Sequence, residues 1–291
     1  MFTLKIENTN GEIFELSHNT QNYTVVGVQG LTRPQTAVNT SAGGGIDGAF
    51  FNSARVGVRN IVIDIILNGD IETNRQQLYR IFPQKTACTV YFKNKNRDVK
   101  ISGYVEVLEG DLFSQREAMQ ISIICPRPFW ESMQTIYTEL SSILRMFQFP
   151  FAIAETPGVP MSEIQDFPVV NANNGGDIPG GCIITVNIKY NGSSTVAVGD
   201  LKIYNVTTQE FFGFSGQSFE GGDQITINTI SGQMAVTLTR NGTETNLLNY
   251  VAAGSTWFKL RPGENLFTFT CDDNADAVEI TFATATLYGG V

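Results

Sequence analysis

A single histidine, His18, occurs in the 291 residues. This scarcity excludes Ser-His-Asp and Cys-His catalysis and histidine-rich metal sites, which need an imidazole beside a nucleophile or several around one ion. His18 itself stands in the turn-like Ser17-His18-Asn19, with no nucleophile motif nearby. The four cysteines, Cys88, Cys125, Cys182 and Cys271, are far apart and lack the paired spacing of a zinc or redox motif. Each falls in a strand-like run, such as Thr86-Ala87-Cys88-Thr89-Val90 or Ile123-Ile124-Cys125, so buried, reduced thiols are expected. No apolar run approaches the ~20 residues that span a bilayer. The opening Met1-Phe2-Thr3-Leu4-Lys5-Ile6-Glu7 lacks the basic-then-apolar order of a secretory leader. Folding in a cytoplasm is therefore expected, and the Asn-x-Ser/Thr triplets at Asn191, Asn205 and Asn241 carry no glycosylation meaning.

Charge is scarce too, at 16% of residues against 42% hydrophobic, with 28 Gly and 10 Pro. That balance fits a turn-rich β protein rather than a helical bundle or a disordered chain. Basic residues are rare in one half. Residues 1–135 hold 13 Lys+Arg and 13 Asp+Glu, which leaves 6 basic and 15 acidic residues of the totals of 19 and 28. The whole net charge of −9 therefore lies in the C-terminal half. An acidic half repels a phosphate backbone, so direct nucleic-acid binding is disfavoured, and solubility is the plainer role for the charge.

What is present is strand after strand. Residues 2–6 and 12–16 flank Asn8-Thr9-Asn10-Gly11, and Asn-Gly supplies the positive φ that a tight hairpin needs. Long strands follow over 56–67, 97–107 and 118–125. Asp70 caps a helix over 71–82, where Ile71, Leu78, Ile81 and Phe82 share a face and Pro83 imposes the stop. Ile136, Leu140, Ile143, Leu144 and Phe147 then recur at helical spacing, which predicts a short helix in a connector over 136–180. Within that connector, the stretch from Asn171 to Gly181 is polar and Gly-rich and is expected to be a flexible entry to the next domain. From Cys182 to Leu287, short β-branched and aromatic runs alternate with turn signals: Asn191-Gly192, Gly221-Gly222-Asp223, Ser231-Gly232, Asn241-Gly242, Pro262-Gly263 and Asp272-Asp273-Asn274. That spacing predicts an antiparallel sandwich.

Several groups resemble reactive sites, and each has a plainer account. Asp272, Asn274 and Asp276 begin like a calcium loop, but Ala277 and Ala283 replace the required Gly and Glu, so a hairpin turn is favoured. Gly43-Gly44-Gly45 lacks the following Gly-Lys-Ser/Thr of a phosphate cradle. Glu106, Glu109 and Asp111 offer paired carboxylates without a convergent pocket. Phe147-Phe149-Phe151 and Phe211-Phe212-Phe214 place aromatics within β-type runs, where packing on a core is favoured over a sugar-binding platform.

One ordered signature runs through the first 135 residues: Gly11-Glu12-Ile13-Phe14-Glu15-Leu16, Gly45-Ile46-Asp47-Gly48-Ala49-Phe50-Phe51, Arg59-Asn60-Ile61, Leu78-Tyr79-Arg80-Ile81-Phe82 and Ile123-Ile124-Cys125-Pro126-Arg127-Pro128-Phe129-Trp130. The C-terminal half adds Asn187-Ile188-Lys189-Tyr190-Asn191-Gly192, Gly199-Asp200-Leu201-Lys202-Ile203-Tyr204-Asn205 and Trp257-Phe258-Lys259-Leu260-Arg261-Pro262-Gly263-Glu264-Asn265. In this order the segments resemble the distal tail proteins (Dit) of siphovirus-type phages. The resemblance implies a mainly β chain: a ring-forming, tail-tube-like β-barrel or sheet with one packed helix over 1–135, then a peripheral lectin- or carbohydrate-binding-module-like sandwich over 181–291. It implies a homo-oligomeric, hexameric ring at the distal end of a virion tail, assembled in a bacterial host. Its partners are the tail tube protein and the tail-tip, fibre or receptor-binding proteins. DNA passes through the channel without being specifically bound, and no enzyme activity, cofactor, metal or membrane is implied. A head-to-tail ring needs two complementary surfaces per protomer. The segment 32–55 is too long for a simple connection, so Gly44, Ile46, Asp47, Phe50, Phe51 and Arg55 are the candidate ring-interface residues. The rival readings are a carbohydrate-binding adhesin that uses the sandwich and a tail-associated hydrolase that uses Glu106 or Glu109.

Overall fold

The computed structural model describes residues 2–16, 22–45, 47–111, 116–141, 143–145, 162–164, 168–190 and 196–291. His18, Ile46, the Asn191-Gly192 turn and Phe147-Phe149-Phe151 lie outside the described residues. The chain divides into two compact units, residues 1–133 with 287–291, and residues 134–286.

The first unit begins with β1 (Thr3–Asn8) and β2 (Ile13–Leu16), joined by the expected turn with Gly11 at φ +79°. It continues with β3 (Tyr23–Gln29), β4 (Thr36–Ser41), β5 (Phe50–Val56), β6 (Arg59–Leu67), α1 (Ile71–Ile81), β7 (Ala87–Lys93), β8 (Asp98–Gly110) and β9 (Ala118–Cys125). β10 (Trp130–Ser141) starts in this unit and ends in the second. All strand pairs are antiparallel, and the ladder runs β2-β1-β7-β8-β9-β6-β3. β8 serves two ladders. Its first half pairs with β7, its second half with β9, and the register shifts between Val105 and Val107. Gly103 sits at the changeover, where a Cβ would lie 2.7 Å from Ile123 Cγ2 and 2.9 Å from Cys125 Sγ. A β-bulge beside a glycine is how a sheet bends on itself. Alternation then sends Leu4, Ile6, Ile61, Ile63, Ile65, Val90, Val99, Ile121 and Ile123 into one core.

Helix α1 forms as its sequence dictates. Asp70 Oδ1 accepts from the Thr73 amide and Oδ2 from the Thr73 hydroxyl, and these bonds hold the Asp70 carboxyl below its ordinary pKa. Leu78, Ile81 and Phe82 face the core, and Phe82 meets Phe14 edge to face at 5.4 Å. Among the described residues the stripe predicted as a connector helix is strand: residues 130–141 are β10 and Ile143–Arg145 is β11, and Phe147 lies outside the described residues. Leu140 is buried while Ile136 and Tyr137 are exposed, so the spacing reflects a strand exposed along its middle and not a helical stripe.

In the second unit β11 pairs with β12 (Ser162–Ile164). β13 (Val170–Asn171), β14 (Ile183–Ile188), β15 (Ala197–Gly199), β16 (Lys202–Asn205), β17 (Glu210–Gly213), β18 (Ser218–Glu220), β19 (Gln224–Asn228), β20 (Ala235–Arg240), β21 (Thr243–Asn246), β22 (Leu266–Thr270) and β23 (Val278–Tyr288) follow. One sheet has the order β23-β14-β19-β20-β21, another β13-β22-β16-β17, and β15 pairs with β18. Between them lies an aromatic-rich core in which Phe267 touches Phe282 at 4.5 Å and Phe258 at 5.4 Å. The expected turns are present, with Asn241 and Gly242 both at positive φ and Gly222, Gly232 and Gly263 likewise.

The Asn171–Gly181 stretch is not the flexible entry expected from its composition. Asn174 is buried; it donates to the Ile178 and Leu260 carbonyls and pairs with Gly263 through the backbone. Asn265, wholly buried, donates to the Arg261 and Gly263 carbonyls and accepts from the Arg261 amide. Amide side chains thus supply the hydrogen bonds that a Gly-rich backbone lacks, and they explain the Trp257–Asn265 motif.

Candidate functional site

Residues 32–55 are not an irregular loop. β4 and β5 pair as a separate two-stranded ribbon from Thr36↔Val56 to Ser41↔Phe50, with a register shift at Asn39/Thr40. Every residue of both strands is exposed. Polar side chains rivet the ribbon: Asn39 Nδ2 donates to Ser53 Oγ at 3.0 Å and Ser41 Oγ to Asn52 Oδ1 at 3.2 Å. Gly45 and Gly48 turn it at φ +79° and +97°. Two isolated strands are at best marginally stable in water, so an arm of this kind calls for a further surface.

The candidate residues are distributed along this arm. Gly44, Gly45 and Asp47 are at its tip, and Phe50 and Phe51 begin the return strand with 57% and 67% of their surface exposed. Arg55 lies opposite Ala37 near the root and, like Arg33, makes no ion pair among the described residues. Ile46 falls outside the described residues.

Sequence reasoning missed the residue that fixes the arm. Arg59, the first residue of β6, is 1% exposed and has no carboxylate partner among the described residues; burial pushes its pKa down. Its guanidinium spends its donors on backbone carbonyls: Nη1 on Gly30 and Thr32, Nε on Pro128 at 2.7 Å and Nη2 on Gly289 at 2.7 Å. The Trp130 ring lies 5.5 Å from its centre, and the Trp130 indole donates to the Leu31 carbonyl. Residues 30–32 lead into β4 and Arg59 follows β5, so one side chain holds both roots of the arm. Gly57 N donating to Gln35 O closes the root. The only signal in the sequence was the presence of Arg59-Asn60-Ile61 and Pro126-Arg127-Pro128-Phe129-Trp130 among the family-like segments; the structure brings these two together.

The other candidates are structural. Asn274, at φ +55°, donates to the Ala197 carbonyl and Asp272 N to the Gly199 carbonyl, so Asp272, Asn274 and Asp276 form a turn against β15. Glu106 accepts from Ser122, and Glu109 on β8 and Asp111 just past its end are exposed. Phe212 and Phe214 are core residues, and Phe211 faces Tyr204 across the ladder. Cys88, Cys125 and Cys182 are buried, with thiol pKa values pushed up to about 11, 12 and 12 by burial, whereas Cys271 is only half-buried.

Known proteins match both units. Residues 4–124 match the phage tail protein RIFT-related domain, and residues 175–285 match the C-terminal domain of the siphovirus-type tail component. No curated protein matches the sequence. The crystal structure of phage SPP1 Dit, a paradigm of hub adsorption apparatus in Gram-positive infecting phages, has a TM-score of 0.66 at 12% identity over 98% of this chain and 99% of that one. At that identity the likeness is one of fold. A chain of the phage P2 baseplate in its activated conformation with Ca gives a TM-score of 0.49 at 11% identity, covering 97% of this chain and 98% of that chain. With one family model on each side of residues 125–174, together spanning most of the sequence, the chain belongs to the siphovirus distal tail protein family.

Proposed function

We propose that this tail component is the structural hub at the distal end of the tail tube, six copies closing into a ring that joins the tube to the tail tip or baseplate. The first unit forms the ring, and its β4–β5 arm engages the neighbouring copy. The acidic second unit docks receptor-binding components, and DNA leaves through the channel without sequence-specific contact. The protein acts through binding and assembly rather than catalysis.

The observation that carries the reading is the arm: two hydrogen-bonded strands with exposed Phe50 and Phe51, clamped at the root by a buried arginine. A rigid root with an uncovered apolar tip suits a contact made with another chain. Deleting residues 38–54 while keeping Gln35, Gly57 and Arg59 is expected to leave a folded monomer that no longer forms rings on size exclusion. Intact rings from that variant would refute the role given to the arm.

A further inference from the structure

A second surface on the first unit complements the arm. The outer face of β3, β6, β9 and β8 carries an open groove of about 660 Å³ lined by Val26, Asp64, Ile66, Glu109, Asp111 and Gln120 among others. Its residues stand in cross-strand rows. Gly27, Asp64, Gln120 and Glu109 are register partners in turn, and beside them Ile66 pairs with Ala118, whose carbonyl accepts from Asp111 N. Gln120 Nε2 donates to Asp64 Oδ1 at 2.9 Å, which leaves Glu109 and Asp111 exposed and without an ion pair among the described residues. At the β3 side the surface is apolar, with Val26 63% exposed. The groove is therefore apolar at one side and anionic at the other.

The arm has the opposite order of chemistry. Phe50 is near its tip, and Phe50 and Arg55 share one face of the ribbon, because their β4 partners Ser41 and Ala37 are four residues apart. At a rise of ~3.3 Å per residue these lie about 13 Å apart. The span from β3 to β8 is three strand spacings of ~4.8 Å, about 14 Å. The arm and its approaches, residues 30–58, carry Arg33 and Arg55 against Asp47 alone, a cationic excess that faces an anionic groove. Within one protomer the two surfaces are at opposite ends of β6, the root at Arg59 and the groove at residues 64–66. Exposed Phe51 and Val26 show that a chain's own arm leaves its groove uncovered. A single strand thus presents a donor at one end and an acceptor at the other, which is the requirement of a heterologous contact.

We infer that this groove is the receptor for the β4–β5 arm of a second copy of the chain, with Phe50 over Val26 and Ile66 and Arg55 against Glu109 and Asp111. The assignment rests on the ring reading above and specifies which surface the arm meets. The test uses the full chain with a photo-crosslinking phenylalanine analogue at Phe50, irradiated in the assembled state and mapped by mass spectrometry, alongside charge-reversal variants. Cross-links to residues 26, 64–66, 109–111 or 118–120 of another copy are expected. Arg55→Glu, or Glu109→Lys with Asp111→Lys, is expected to weaken assembly about tenfold or more, and the combined variant to recover most of it. Rings whose cross-links map elsewhere overturn this assignment alone and leave the ring reading intact. A wild-type chain that forms no ring and no inter-copy cross-link overturns both.

Discussion

Arg59 Nη2 donates to the Gly289 carbonyl at 2.7 Å, a contact between residues 230 positions apart that joins the root of the arm to the strand end that returns from the second unit. The same returning segment is held twice more, by Arg97 through the Gly290 carbonyl and the Tyr288 ring and by Val291 N on the Leu31 carbonyl. The first unit is thus complete only when residues 287–291 have joined it.

Arg59→Ala is expected to cost about 3–5 kcal/mol, because it opens a cavity and leaves the Gly30, Thr32, Pro128 and Gly289 carbonyls without their donor. Arg59→Lys recovers little of this, since an ammonium cannot reach the same fork of acceptors. Urea unfolding of both variants checks the claim, and a loss under 1 kcal/mol for the alanine variant contradicts it.

Gly30 approaches β6 so closely that a Cβ would stand 1.9 Å from the Asn60 carbonyl oxygen, at a φ of +80°. Gly30→Ala therefore forces the backbone beside Arg59 to move, and a fall in Tm of several degrees with lost ring assembly is expected. Gly11, also at positive φ but with open space around it, serves as the control: Gly11→Ala pays the conformational cost without the collision.

Buried thiols give the protein an alkaline limit. Burial raises Cys88 to about 11 and Cys125 and Cys182 to about 12 from an ordinary value of 9.0. Below pH 9 both folded and unfolded chains keep these protons, so the thiols contribute no pH dependence. Above it the unfolded chain ionises first, and stability falls as pH rises from 9 towards 12. Unfolding midpoints at pH 8 and 10.5 are expected to show this decline, less steeply in Cys182→Ala than in the native chain. In the folded state at pH 8, Cys271 should be the first cysteine alkylated.

The strand-rich plan, the packed helix and most turns were legible because their signals are local: Asn8-Thr9-Asn10-Gly11 turns, Asp70 caps, Pro83 stops. The arm was not, since Thr36–Ser41 is exposed on both faces and burial imposes no alternation on it. β10 and β11 were misread because Ile136, Leu140 and Leu144 satisfy a helical spacing and are also an even number of residues apart. The grip of Arg59 on the root left no periodic pattern, only two separate family-like segments. Carbonyls of residues 30, 32, 128 and 289 accept whatever their side chains are, and only the fold brings them to Arg59.

In the second unit, Asn265 carries the load that Gly-rich segments cannot. Asn265→Leu removes its bonds to Arg261 and Gly263 at nearly constant volume and is expected to cost about 2–4 kcal/mol, with the Asn174–Gly263 pairing lost first. Hydrogen exchange at Asn174 and Gly180 reports that opening; unchanged protection there would contradict the role assigned to Asn265.

Sideways assembly of the first unit through an arm rooted on Arg59 has a readout in solution. Native mass spectrometry of the purified chain, with negative-stain images of the same sample, tests it most directly. A closed annular species of six copies that disappears when residues 38–54 are removed is expected, whereas a strict monomer at every concentration, or rings indifferent to that deletion, would contradict assembly through the arm.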